Sequence, residues 1–118
     1  MNDRTLLELA ARAAGLRSHW FFGEGEGLQV SRKNEGHRFN WNPLTDDGDA
    51  LRLAVTRGLV VTPDRENQRT LVSNSAGHEY CAIYWDKLGE MAATRLAITE
   101  AAAEIGKSIT QPGATSSP

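Results

Sequence analysis

The chain holds a single cysteine, Cys81, so it forms no internal disulfide and no zinc site that depends on several thiolates. A lone thiol points to a reducing compartment. Long apolar runs are also missing. No stretch reaches the roughly 18 consecutive apolar residues of a membrane span, and the N-terminus opens on an amphipathic pattern rather than a charged segment followed by an apolar one. The expectation is no membrane span, no signal peptide and a place in the cytoplasm. An excess of either charge is absent too: 13 Lys and Arg stand against 15 Asp and Glu, which leaves −2 and makes no electrostatic case for nucleic acid. What remains is ordinary globular composition, 40% hydrophobic and 24% charged. At 118 residues the chain is shorter than an average domain of roughly 150, which predicts one domain over 1–106 and a frayed Ser, Thr, Pro and Gly tail over 107–118.

Hydrophobic spacing predicts a first helix over 2–14, with Leu6, Leu9, Ala10 and Ala13 on one face, Asn2 as N-cap and Gly15 just past the end. Its alanines allow a close approach to whatever it covers. Three short strands follow near 18–22, 27–31 and 36–41. Leu28 and Val30 share one face of the second, and Phe39 and Trp41 share one face of the third. A second helix runs from about Asp46 to Gly58, where the acidic first turn complements the exposed amides. Strands at 59–62, 69–73 and 79–85 come next, with a turn at 63–67. The last is apolar on both faces and so is expected to be covered on both sides. A long helix over 87–105 closes the domain, with Gly106 as its stop. The order α-βββ-α-βββ-α predicts an α+β fold with three helices packed on a largely antiparallel sheet, an α/β/α sandwich, with a two-layer arrangement as the fallback.

The motifs that invite chemistry each have a plainer reading. Gly23-x-Gly25-x-Gly27 leads into a strand and carries Glu24 and Glu26, which repel phosphate, so it reads as a hairpin loop. Asp46, Asp47 and Asp49 lack the alternating oxygen ligands of a calcium loop, because Gly48 and Ala50 hold the third and fifth positions. They read as a helix cap. His78-x-x-Cys81 is half a zinc site at best, and Cys81 lies mid-strand between apolar neighbours as a small buried hydrophobe. No Gly-x-Ser-x-Gly elbow, His-Glu-x-x-His helix or lysine-bearing phosphate loop occurs. The expectation is a protein that is not an enzyme, with no cofactor, no metal and no catalytic residue.

The most basic stretch, Ser31 to Arg38, is flanked by Trp20, Phe21 and Phe22 on one side and Phe39 and Trp41 on the other. Bases can stack on aromatics of a sheet while cations hold phosphates, so a single-stranded nucleic acid is one candidate partner. Strand alternation argues the other way, turning Phe39 and Trp41 inward and Arg38 and Asn40 to water. The candidate binding residues are Arg32, Lys33, His37 and Arg38 in this hairpin and Asp64 and Arg65 in the turn near Pro63, all on loops that carry charge without an evident packing duty.

Three blocks carry a resemblance: Met1-Asn2-Asp3-Arg4-Thr5-Leu6-Leu7-Glu8-Leu9-Ala10-Ala11-Arg12-Ala13-Ala14-Gly15, the central Trp41-Asn42-Pro43-Leu44-Thr45-Asp46-Asp47-Gly48-Asp49-Ala50-Leu51-Arg52-Leu53-Ala54-Val55, and Ala93-Thr94-Arg95-Leu96-Ala97-Ile98 with Ala101-Ala102-Ala103-Glu104-Ile105-Gly106. Together they resemble small proteins of tailed bacteriophages and prophages, similar to the phage ABA-sandwich domain proteins. The resemblance implies a phage product made in the host bacterial cytoplasm, with a sheet between helices, and it transfers no catalytic residue. By analogy of gene context it implies a non-catalytic protein that binds a host protein and inhibits a host process, an immune defence such as CRISPR. The alternative is a binding or sponge protein for a small nucleotide signal, held by convergent arginines and an aromatic in a pocket that a homodimer could complete.

Overall fold

The computed structural model describes residues 1–109. Helix α1 (Asp3–Ala13) begins where the Asn2 side chain accepts a hydrogen bond from the Thr5 amide at 2.9 Å. It ends before Gly15, whose φ of +75° lets the chain reverse at no steric cost. Strands β1 (Leu16–Phe21), β2 (Gly27–Arg32) and β3 (Phe39–Asn40) pair antiparallel in that order. Helix α2 (Asp47–Arg57) is capped by Asp46, which accepts from the Asp49 amide at 2.8 Å, and stops at Gly58 in left-handed backbone. Strands β4 (Val60–Asp64), β5 (Arg69–Ser73) and β6 (Glu79–Tyr84) form a second antiparallel sheet, and α3 (Glu90–Lys107) completes the described chain.

The fold is α+β, with three helices and antiparallel strands in the order α-βββ-α-βββ-α. The strands divide into two sheets of three, where the sequence suggested one. Each sheet is a meander closed by its own short turns, so all its ladder pairing is local. What joins the two is the helices: α1 packs on β1 and β2, α3 packs on β5 and β6, and α1 and α2 each pack on α3. Leu7, Ala10, Ala11, Leu28, Val30, Trp41, Leu53, Val72, Ala97, Ile98 and Ala101 belong to a single buried cluster drawn from both sheets and all three helices.

Alanine sets the spacing of the α1 and α3 pair. Ala10, Ala11, Ala97, Ala101 and Ala102 are all buried there. Gly106 lies inside α3, not at its end, and a Cβ built on it would overlap the Leu9 backbone, only 2.8 Å from the carbonyl carbon. The glycine is needed for the crossing of the two helices, and the helix continues one residue beyond it.

Other boundaries move for physical reasons. Of the residues expected in β3 only Phe39 and Asn40 pair, and Gly36, His37 and Arg38 stay exposed outside the ladder. Strand β4 runs through Pro63 and Asp64, which the sequence placed in a turn. It is an edge strand, where a proline's missing N–H costs no ladder bond. Helix α3 starts after Gly89, at φ +88°, rather than near Lys87. Strand β6 is less covered than expected, with Tyr80 to Ile83 only partly buried and Tyr84 exposed. Of the expected tail, Lys107 ends α3 and Ser108 caps it, and 110–118 lie outside the described residues.

The central block around Trp41 is a structural joint. Asn42 accepts from the Leu44 amide at 3.0 Å, and buried Asp49 accepts from the Asn42 amide at 2.9 Å. Arg95 of α3 donates to the Leu44 carbonyl at 2.9 Å and pairs with Asp47 at 2.7 Å. The loop before α2 is thereby tied to two helices, which holds β3 and α2 in a fixed relation.

Candidate binding site

The β2–β3 connection turns at Asn34, at φ +68°, with the Glu35 amide bonded to the Arg32 carbonyl at 3.0 Å. Every residue from Arg32 to Arg38 is exposed. Arg32 lies over the Phe39 ring at 5.6 Å and His37 stacks on the same ring at 6.5 Å, so both rest on a side chain that is itself packed against the core. Arg32 also faces Glu35 at 3.9 Å, a loose and solvated contact. Lys33 and Arg38 make no ion pair among the described residues.

Asp64 and Arg65 sit elsewhere, on the β4–β5 hairpin of the second sheet, and both are engaged. Asp64 accepts from the Asn67 amide at 3.2 Å, the Asn67 side chain at 2.9 Å and Arg69 Nε at 3.0 Å. The hydrogen bonds from the Asn67 side chain and from Arg69 hold its carboxyl below the usual range. Arg65 pairs with Glu90 at 2.9 Å and covers the Trp85 ring at 5.5 Å. These two residues organise their hairpin and its seat on α3. The structure thus brings Arg32, Lys33, His37 and Arg38 together and places Asp64 and Arg65 apart from them.

Behind the basic hairpin is a concavity of about 240 Å³ between the α1–β1 corner, β3 and α2. Leu16, Phe39, Trp41 and Leu53 give it apolar walls, and Arg32 of β2 and Arg52 of α2 also line it. No carboxylate belongs to its lining.

No protein family, curated protein or solved structure matches the chain.

Cys81 is half-buried and its thiol donates to the Ala97 carbonyl at 3.3 Å. Burial, with lesser contributions from Glu100, Glu79 and Glu104, pushes its pKa up to about 11, so it stays a neutral thiol near pH 7. Among the described residues no three His, Cys, Asp or Glu side chains converge in a way that could hold a metal ion. No helix of the described residues is long and apolar enough to cross a membrane.

The aromatic flanks of the basic stretch are separated. The β1–β2 register sets Trp20 opposite Leu28 and Leu16 opposite Arg32. Four residues at about 3.4 Å each put Trp20 at the far end of the sheet from the hairpin. There Trp20 donates to Glu26 at 3.3 Å and Arg4 lies over its ring at 5.2 Å. Phe39 and Trp41 turn inward, as strand alternation predicts.

Sequence reasoning missed Arg52. The signal was present: Asp49 and Arg52 stand three apart on a helix, the spacing of a surface ion pair, and they meet at 2.8 Å. It also missed the apolar groove of about 300 Å³ between α2 and α3, where Leu51 and Met91 are exposed beside Val61 and Ile98.

Proposed function

We propose that this chain is a phage-encoded, non-catalytic binding protein that inhibits a host process, a bacterial immune defence, by gripping an acidic surface of a defence component with the β2–β3 hairpin. One observation carries the reading: Lys33 and Arg38 project from a hairpin whose base is packed on the core, and neither is neutralised by a neighbouring carboxylate. Exposed cations with no partner at home speed encounter with an acidic surface and select against basic ones. Mounting them on a sheet reduces the ordering that binding requires. The phage and defence context rests on the three helical blocks and on analogy, and the hairpin chemistry stands without it.

The test is co-purification from a host lysate, comparing the natural chain with the double charge reversal Lys33→Glu, Arg38→Glu. A stoichiometric partner that is retained by the natural chain, released as salt rises and lost by the variant supports the reading. A partner held equally by both excludes the hairpin as the contact.

A further inference from the structure

We propose that the concavity between β3 and α2 binds a phosphomonoester carrying one planar ring system, the class of a nucleoside monophosphate. The phosphate sits between Arg32 and Arg52, and the ring lies against Leu16, Trp41 and Leu53.

Arg32 and Arg52 both belong to the lining of one cavity and no carboxylate does, so an anion is the charge this lining accommodates best. Both cations keep donors for it. Asp49 at 2.8 Å and Asp46 at 3.9 Å engage the same nitrogen of Arg52, Nη2, which leaves Nε and Nη1 without a partner among the described residues. Arg32 uses its flat face on Phe39 and offers Glu35 only a 3.9 Å contact. Nη2 of Arg52 carries a second N–H, which with Nε or Nη1 leaves one two-donor edge, and such an edge suits bidentate contact with phosphate oxygens.

Arg52 is also held in place from below. Gly48 has no side chain, and a Cβ there would lie 3.2 Å and 3.3 Å from the two terminal nitrogens of Arg52. The guanidinium folds back over this glycine onto Asp49. The volume of about 240 Å³ falls just under the roughly 300–1,000 Å³ of sites for drug-sized ligands, which limits the occupant to one ring system with its charged group at the mouth. A dinucleotide is too large. The apolar walls add the ring to the anion, because a cavity for phosphate alone gains nothing from Leu16 and Leu53.

The experiment is a two-dimensional nitrogen–proton NMR titration of the full chain with adenosine, guanosine, cytidine and uridine 5′-monophosphates, with adenosine and inorganic phosphate as separate probes. Expected are saturable shifts at the Trp41 indole and at the Gly15, Leu53 and Thr56 amides for at least one monophosphate. Arg52→Gln weakens that binding about tenfold, as does Arg32→Gln, which removes the opposite cation without touching the Asp49 contact. Adenosine alone and phosphate alone bind at least about tenfold more weakly than the complete ligand. Absence of saturable shifts at these positions overturns the proposal, and so does Arg52→Gln binding like the natural chain. Inorganic phosphate binding as tightly as the nucleotide overturns the ring's place in it. The Lys33→Glu, Arg38→Glu variant keeps nucleotide binding, so failure here is distinct from failure of the hairpin contact.

Discussion

Cys81 and Thr70 show what single residues contribute. With the Cys81 pKa raised from about 9 to about 11, the folded thiol stays protonated where an unfolded one ionises. Its contribution to stability is complete below pH 9 and is lost as pH rises from there toward 11. Two pK units mean about a hundredfold less thiolate, so alkylation by iodoacetamide at pH 8 should run about two orders of magnitude slower in the native chain than in urea. Comparable rates in the two states would mean an ionised or freely exposed thiol. Thr70, fully buried, accepts from the Trp85 indole at 2.9 Å and meets the Thr94 hydroxyl at 2.7 Å, while Thr94 donates to the Glu90 carbonyl at 2.8 Å. The proton count fixes the direction: Thr94 gives its hydrogen to Glu90, so Thr70 gives its own to Thr94. Thr70→Val keeps the shape and leaves the buried indole N–H unpaired, which costs about 1–3 kcal/mol. Urea unfolding measures it, and a change under about 0.5 kcal/mol would contradict the network.

Among the elements, the α1 and α3 pair gives the sharpest contrast between local preference and packing. In an isolated helix Gly106→Ala stabilises by about 1 kcal/mol, since glycine is a poor helix former. Here the new methyl meets the Leu9 backbone, which has no rotamer to move away, and overpacking of this kind costs about 1–3 kcal/mol. Packing wins the sign, and the variant should lose stability in thermal or urea unfolding. A gain would mean that the two helices do not touch at this point. The same contrast separates what could be read in the sequence from what could not. Asn2, Asp46, Gly15 and Gly58 announce helix ends because capping is local chemistry, and the helices begin and end at or beside them. Gly106 resembles a C-terminal glycine in sequence, and only the arrival of α1 explains it. Pro63 looks like a turn until β4 is known to be an edge strand. For the site, the hairpin from Arg32 to Arg38 was legible through its charge and flanking aromatics. For Arg52 the sequence carried only the spacing of its Asp49 pair, because its place in one cavity lining with Trp41 and Leu16 depends on the fold.

For the whole molecule, the number of sheets was beyond the sequence for the same reason. Two meanders with apolar faces can be joined edge to edge or through helices, and strand patterns look the same in either case. The alanine-rich α1 and α3 pair takes the second route, leaving sheet edges free and the β2–β3 hairpin at the margin of the first sheet. There the hairpin is supported but carries no core residue between Lys33 and Arg38. The proposed contact residues are therefore not core residues, and changing the hairpin's charge should leave the fold intact. The decisive measurement is the plating efficiency of a restricted phage on bacteria carrying defined immune systems and expressing either the natural chain or Lys33→Glu, Arg38→Glu at equal levels and equal melting temperature. The account predicts restored plaques with the natural chain against at least one system and none with the variant. Plaques restored equally by both, or by neither against every system tried, would contradict it.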